Sequence, residues 1–181
     1  MATKNNRRTT ITRKILKDSL LELMQTKPIS KITIKEICEL SDMSRSTFYL
    51  HYQDQFALLE DIEKEVLKKT FENLKMLDTE SNSISSIEVL LNYIKDNKTT
   101  FGILLCRMET HDFQKGIMNS VQTYIQPIIP KLSDKYKEKY IYSFIMHGCN
   151  NIIVDWINNN FDIEPHKLAK LIYHICNTVV G

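Results

Sequence analysis

Two helix-start signals stand eleven residues apart, at Thr33 and Ser44, and this spacing leaves the chain little choice of local fold. Thr33 precedes Ile34, Ile37 and Cys38, with Glu36 three residues on. In that pattern the hydroxyl and the carboxylate each satisfy one of the unpaired N–H groups at a helix start. Ser44 gives a second cap, and Ser41-Asp42 between them closes the first helix. The pattern therefore predicts two short helices joined by a tight turn, the second running from Arg45 to Tyr52. Small polar and basic residues open that second helix, so it suits a helix-turn-helix whose second member enters a DNA major groove N-terminus first.

The flanks are helical too. Between Thr12 and Met24 the apolar residues Ile15, Leu16, Leu20, Leu23 and Met24 recur at helical spacing, with Arg13, Lys14, Lys17, Asp18 and Glu22 on the other face, and Pro28 stops the run. Asp54 caps a long fourth helix carrying Leu58, Leu59, Ile62, Val66 and Leu67 towards Leu77. The polar stretch from Asp78 to Ser86 reads as a loop, followed by helices near 86–97, 99–109, 112–133, 135–159 and 165–179. Pro127 and Pro130 should kink or end the third of these. With only four Gly and four Pro in 181 residues, the chain is expected to be all-α, with about nine helices. Residues 1–53 form a helix-turn-helix domain with a basic N-terminal arm, and residues 54–181 a larger helical domain whose first segment, 54–78, is a linking helix.

Charge separates the two parts. Residues 1–52 carry ten Lys/Arg against five acids, while the remainder holds 14 against 17. A basic head on a mildly acidic body suits a polyanion at one end. Ser44, Arg45, Ser46 and Thr47 are short or flexible donors able to reach base edges or phosphates, whereas Phe48 and Tyr52, four apart, can face the core.

The run Met43-Ser-Arg-Ser-Thr-Phe-Tyr-Leu-His-Tyr-Gln-Asp-Gln-Phe-Ala-Leu-Leu59 resembles the recognition-helix motif of the TetR family. There a hydrophobic residue and Ser precede a Thr-aliphatic-Tyr core, and an aromatic and a Leu-Leu pair follow. Thr33-Ile-Lys-Glu-Ile37 is similar to that family's second helix and Arg13 to Met24 to its first, so the resemblance covers about residues 10–60. It implies that Thr33 and Lys35 touch DNA from the second helix, that Arg45 and Thr47 face the bases, and that Tyr49 and His51 contact phosphates or base edges. Ser44 and Ser46 join them, with Arg45 the first choice for readout because a guanidinium pairs bidentately with guanine. Two positions depart from the family pattern. Asp42 stands where a turn Gly is usual, and Gln55 where a Lys is usual, which removes one phosphate-neutralising charge. Arg7 and Arg8, on a disordered arm, can compensate from the minor groove.

The resemblance further implies a homodimeric repressor on a palindromic double-stranded operator, released by a small-molecule effector when the fourth helix tilts. A helical adaptor answering to a protein partner is the alternative, and repressor and activator share every residue named. Ile145, Gly148, Ile152, Trp156, Leu168, Leu171 and Ile175 make stripes fit for a dimer interface or equally for a monomer core. Tyr93, Phe101, Met108, His111, Phe113, Tyr124, His147 and Trp156 are the candidate pocket lining. No phosphate loop, G-x-S-x-G or H-E-x-x-H occurs, so no enzyme is expected. Cys106/Met108/His111 and His147/Cys149 lack metal-ligand spacing, so neither metal nor cofactor is expected. Cys38, Cys106, Cys149 and Cys176 read as reduced core thiols of a cytoplasmic protein. No apolar run follows the basic start, so neither a secretion signal nor a membrane span is expected.

Overall fold

The computed structural model describes residues 2–75, 83–106 and 135–180. The described residues form eight α-helices and no strand: α1 Ala2–Met24, α2 Ile34–Ser41, α3 Arg45–Tyr49, α4 Gln55–Lys75, α5 Ser83–Asp96, α6 Lys98–Cys106, α7 Lys135–Asn158 and α8 Pro165–Val180. A 3-10 turn, Ile29–Lys31, follows Pro28. The expected helix at 112–133, with its two prolines, lies outside the described residues. The chain divides into two compact units, 1–66 and 67–181, with the division falling inside α4.

In the first unit α1 packs on α2 and α2 on α3. Leu16, Leu20, Ile37, Phe48 and Leu58 are fully buried there, as the period of the apolar residues requires. Two helix bounds differ from expectation. α1 starts at Ala2, because no Gly or Pro before Pro28 interrupts it. The basic arm is therefore helical. α3 stops at Tyr49 rather than Tyr52. The Phe48 carbonyl accepts from the backbone N–H groups of both His51 and Tyr52, at 2.9 and 3.0 Å, which tightens the chain into a turn. That turn carries the Tyr52 side chain inward, where it is buried.

In the second unit α5 packs on α8 and α6 on α7, while α7 and α8 lie against each other. Leu91, Phe101, Leu104, Ile145, Trp156, Leu168 and Ala169 supply core. α5 begins three residues earlier than 86, since Ser83 and Ser85 are tolerated in its first turn. α7 closes on Asn160 and Phe161, both left-handed, with φ of 56° and 61°. The Phe161 N–H bonds the Trp156 carbonyl at 2.8 Å, while the Trp156 indole Nε1 donates to the Ile163 carbonyl at 2.7 Å. The two rings meet edge to face, 4.8 Å between centroids. An aromatic residue in left-handed backbone is costly, and this clamp is what holds it there.

Candidate nucleic-acid interface

The turn between α2 and α3 is built from three caps. Thr33 and Glu36 form the reciprocal capping box: the Thr33 hydroxyl accepts from the Glu36 N–H, and the Glu36 carboxylate accepts from the Thr33 N–H at 2.9 Å. Lys27 also donates to that carboxylate. Hydrogen bonds from Lys27 and from the Thr33 backbone and hydroxyl hold the Glu36 carboxyl at about 2, below its ordinary 4.5. At the other end Asp42 is left-handed, φ 53°. The Met43 N–H reaches the Cys38 carbonyl at 3.0 Å and the Asp42 N–H the Glu39 carbonyl at 3.5 Å, the paired closure of a Schellman motif. Asp thus fills a position that favours glycine. Ser44 then caps α3 by accepting from the Thr47 N–H at 3.1 Å.

These caps bring several of the predicted side chains together. Thr33, Lys35, Ser44, Arg45, Ser46 and Tyr49 are exposed, and Thr47 and His51 half-buried. Lys35, Ser44 and Arg45 line one open depression together with Cys38, Glu39, Asp42 and Met43. The Ser44 hydroxyl lies 2.7 Å from that of Ser46 and 2.9 Å from that of Thr47, so the three form one cluster. Lys35 pairs loosely with Glu39 at 3.6 Å. The Arg45 side chain, by contrast, makes no hydrogen bond or ion pair among the described residues, and the residue stands exposed at the first position of α3. His51 lies in the turn after α3 rather than on it. Tyr49 is 58% exposed, and its ring meets Phe48 edge-on at 5.8 Å. Arg7 and Arg8 are exposed on helical backbone. Neighbouring positions on a helix point about 100° apart, so the two do not act as one flexible strand.

Sequence patterns missed what fixes this surface to the rest of its unit. Tyr52 receives a hydrogen bond from Arg13 Nε at 3.0 Å and donates to Asp61 at 2.8 Å. Arg13 and Lys17 both pair with Asp61, at 2.8 and 2.7 Å, and Lys17 also reaches Glu65 at 2.7 Å. The Arg13 guanidinium lies 5.6 Å from the Tyr52 ring centre. Burial alone pushes Asp61 up, but hydrogen bonds from Lys17, Tyr52 and Arg13 outweigh it and the carboxyl sits below its ordinary value. The partners lie far apart in sequence, so no local period announces them.

The residues expected in the second unit scatter. Phe101 and Trp156 are core, and Tyr93 packs edge-on against Phe101 at 5.5 Å. His147 is exposed. Met108, His111, Phe113 and Tyr124 lie outside the described residues. Of the dimer set, Ile145, Trp156 and Leu168 are buried within their own chain, Ile152, Gly148 and Ile175 are half-buried, and Leu171 is exposed. Two exposed aromatics, Tyr140 and Phe144, stand four apart on α7; Phe144 belongs to the expected apolar stripe and Tyr140 does not. Among the described residues no group of three or more His, Cys, Asp or Glu is placed to hold a metal ion, and no helix is long and apolar enough to cross a membrane.

A TetR family model described as "Transcriptional regulator C-terminal region" matches residues 81–178, more than half of the chain. The chain belongs to the TetR family of transcriptional regulators. The HTH-type transcriptional regulator YxbF of Bacillus subtilis (strain 168) is 23% identical over 172 residues, which is 88% of this chain and 43% of that protein. The chain thus spans less than half the length of this relative. A TetR transcriptional regulator from Streptococcus agalactiae 2603V superposes with a TM-score of 0.75 at 18% identity, covering 97% of this chain and 99% of the other. The dihydroxyacetone kinase operon activator DhaS gives 0.64 at 16% identity, covering 94% and 97%. The fatty acid degradation regulator FadR from Bacillus halodurans gives 0.64 at 12%, covering 94% and 95%. These likenesses carry the TetR fold across both units, including the first, which the family model does not reach.

Proposed function

We propose that this TetR-family chain is a sequence-specific DNA-binding regulator that acts as a dimer on a palindromic operator and answers to a small molecule. One observation carries the reading: an exposed guanidinium with no ion pair among the described residues, Arg45, at the start of a capped helix amid a hydroxyl cluster. An arginine kept free of carboxylate partners beside Glu39 and Asp42 has its donors available for a guanine edge. Lys35 and Tyr49 take the backbone. Gln55, in place of a lysine, reduces the charge brought to phosphate and lowers the salt slope.

Dimerisation is supported by the exposed apolar side chains Tyr140 and Phe144 on α7 and Leu171 on α8, and by Gly148, where an added Cβ would meet nothing within 4 Å. A second copy would cover them, giving two recognition helices for two half-sites. A small-molecule effector is favoured over a protein partner by two buried polar atoms in the second unit, the Thr70 hydroxyl and the Tyr142 hydroxyl. Neither has a hydrogen-bond partner among the described residues. Burial pushes the Tyr142 phenol to about 12, so it is a neutral donor. Each orphaned group costs about 1–3 kcal/mol, which a ligand with matching polar atoms recovers. Because α4 belongs to both units, its displacement would be felt at Asp61 and Glu65 and through them at α1. Whether the outcome is repression or activation depends on where the operator lies against the promoter, and DhaS is named an activator.

The test is titration onto operator DNA recovered by sequencing genomic fragments the protein retains. Arg45→Ala is expected to lose about 1–3 kcal/mol of binding and to relax specificity at one base pair. Unchanged affinity and specificity would remove Arg45 from the readout. A duplex with a single half-site bound as tightly as the full palindrome would sink the dimer.

A further inference from the structure

We propose that Cys149 and Cys176 form a reversible intrachain disulfide on exposure to a hydroperoxide, joining α7 to α8. Their sulfurs stand 3.8 Å apart across two helices that pack together, and both cysteines are free and half-buried. Bond formation requires closing about 1.7 Å, to the ~2.05 Å of a disulfide, a distance that rotation of the two side chains spans. The pair also lies clear of the exposed faces. Cys149 follows Phe144 by five residues and Cys176 follows Leu171 by five, so each thiol points about 140° away from its exposed neighbour. Pairing of two copies through those faces would leave the thiols unobstructed.

The two thiols are prepared differently. Their mutual hydrogen bond holds the Cys176 thiol below its ordinary value and raises that of Cys149, to which burial adds. In the proposed step Cys176 is the attacking thiol and Cys149 the resolving one. With hydrogen peroxide, the Cys176 thiolate attacks one oxygen: an S–O bond forms, the O–O bond breaks, and the hydroxide released takes up the Cys176 proton to leave as water. Cys149 then attacks the sulfenic sulfur. The S–S bond forms, the S–O bond breaks, and the departing hydroxide leaves as a second water with the Cys149 proton. The two thiols lose two electrons and the peroxide gains them. Of the other cysteines, Cys38 is buried in the first unit. The inference does not depend on what the first unit binds.

The reduced full chain, freed of reductant, is treated with hydrogen peroxide, its remaining thiols alkylated, and its tryptic peptides weighed. Expected is the peptide starting at Tyr140 joined to that starting at Leu171, two hydrogens lighter than their sum and separated again by dithiothreitol. In Cys149→Ser and in Cys176→Ser no bridge should form, and dimedone should label the thiol of the pair that remains. A map with these two peptides still alkylated, a bridge to Cys38 or Cys106, or a bridge found only between chains would overturn the proposal. The wild-type map decides even if a serine variant fails to fold.

Discussion

The two units are held together by different chemistry. In the first, Arg13, Lys17, Tyr52, Asp61 and Glu65 tie α1, the turn after α3 and α4 into one charged lattice, and the starts of α2, α3 and α4 are capped by side chains. In the second, the described helices meet through Leu91, Phe101, Leu104, Ile145 and Leu168, with one indole clamping the α7–α8 turn. A charged lattice is directional and responds to protons and salt. An apolar core is neither. The first unit thus carries its charges already oriented, while the helices of the second meet through apolar contacts.

The contrast breaks most sharply at Trp156. Replacing it by Ala removes a buried aromatic and the donor to Ile163, and should cost about 3–5 kcal/mol in denaturant unfolding. Intact stability would mean that the second unit does not rest on this clamp. Acid probes the opposite side of the comparison. Glu36 titrates at about 2 in the folded chain against an ordinary 4.5, and Asp61 is also lowered. A lowered carboxyl contributes stability that is complete above its unfolded value and lost as pH falls through its folded one. Between about 4.5 and 2, helical signal from the first unit should therefore fall before the fluorescence of Trp156, the single tryptophan, changes. Glu36→Gln should be less stable than the parent at neutral pH and match it near pH 2. Coincident transitions would break the comparison. The smallest effect belongs to Asp42→Gly, which relieves left-handed strain at the turn. A gain of up to about 1 kcal/mol is expected, partly offset by glycine's freedom when unfolded; a loss would show that the Asp42 side chain contributes more than its backbone costs.

What the sequence made legible follows the range of the interaction. Caps act over three residues, so Thr33, Ser44 and Asp54 marked their helix starts correctly, and Asp42 its left-handed turn. Phe48 and Tyr52 were legible as core from their spacing. The lattice at Asp61 was not, since Arg13 and Tyr52 are 39 residues apart. Tyr52's demand for an inward position also ends α3 earlier than its residues suggest. In the second unit, apolar stripes do not say which side meets its own chain. Ile145 and Trp156 lie in the core, while Phe144, next to Ile145 in sequence, is exposed. A left-handed Phe161 has no signature at all, because its conformation is held by Trp156 rather than by its own preference.

With the proposed DNA-binding function, the hydroxyl cluster of Ser44, Ser46 and Thr47 has a consequence for the operator itself. Each hydroxyl both donates and accepts, and its hydrogen rotates without any heavy atom moving. The three can reverse their internal polarity to offer either a donor or an acceptor to a base edge, at little cost in order. A guanidinium has no such freedom, since it only donates. A collection of bound operators should therefore show one nearly invariant guanine in each half-site, flanked by positions where the protein tolerates several letters.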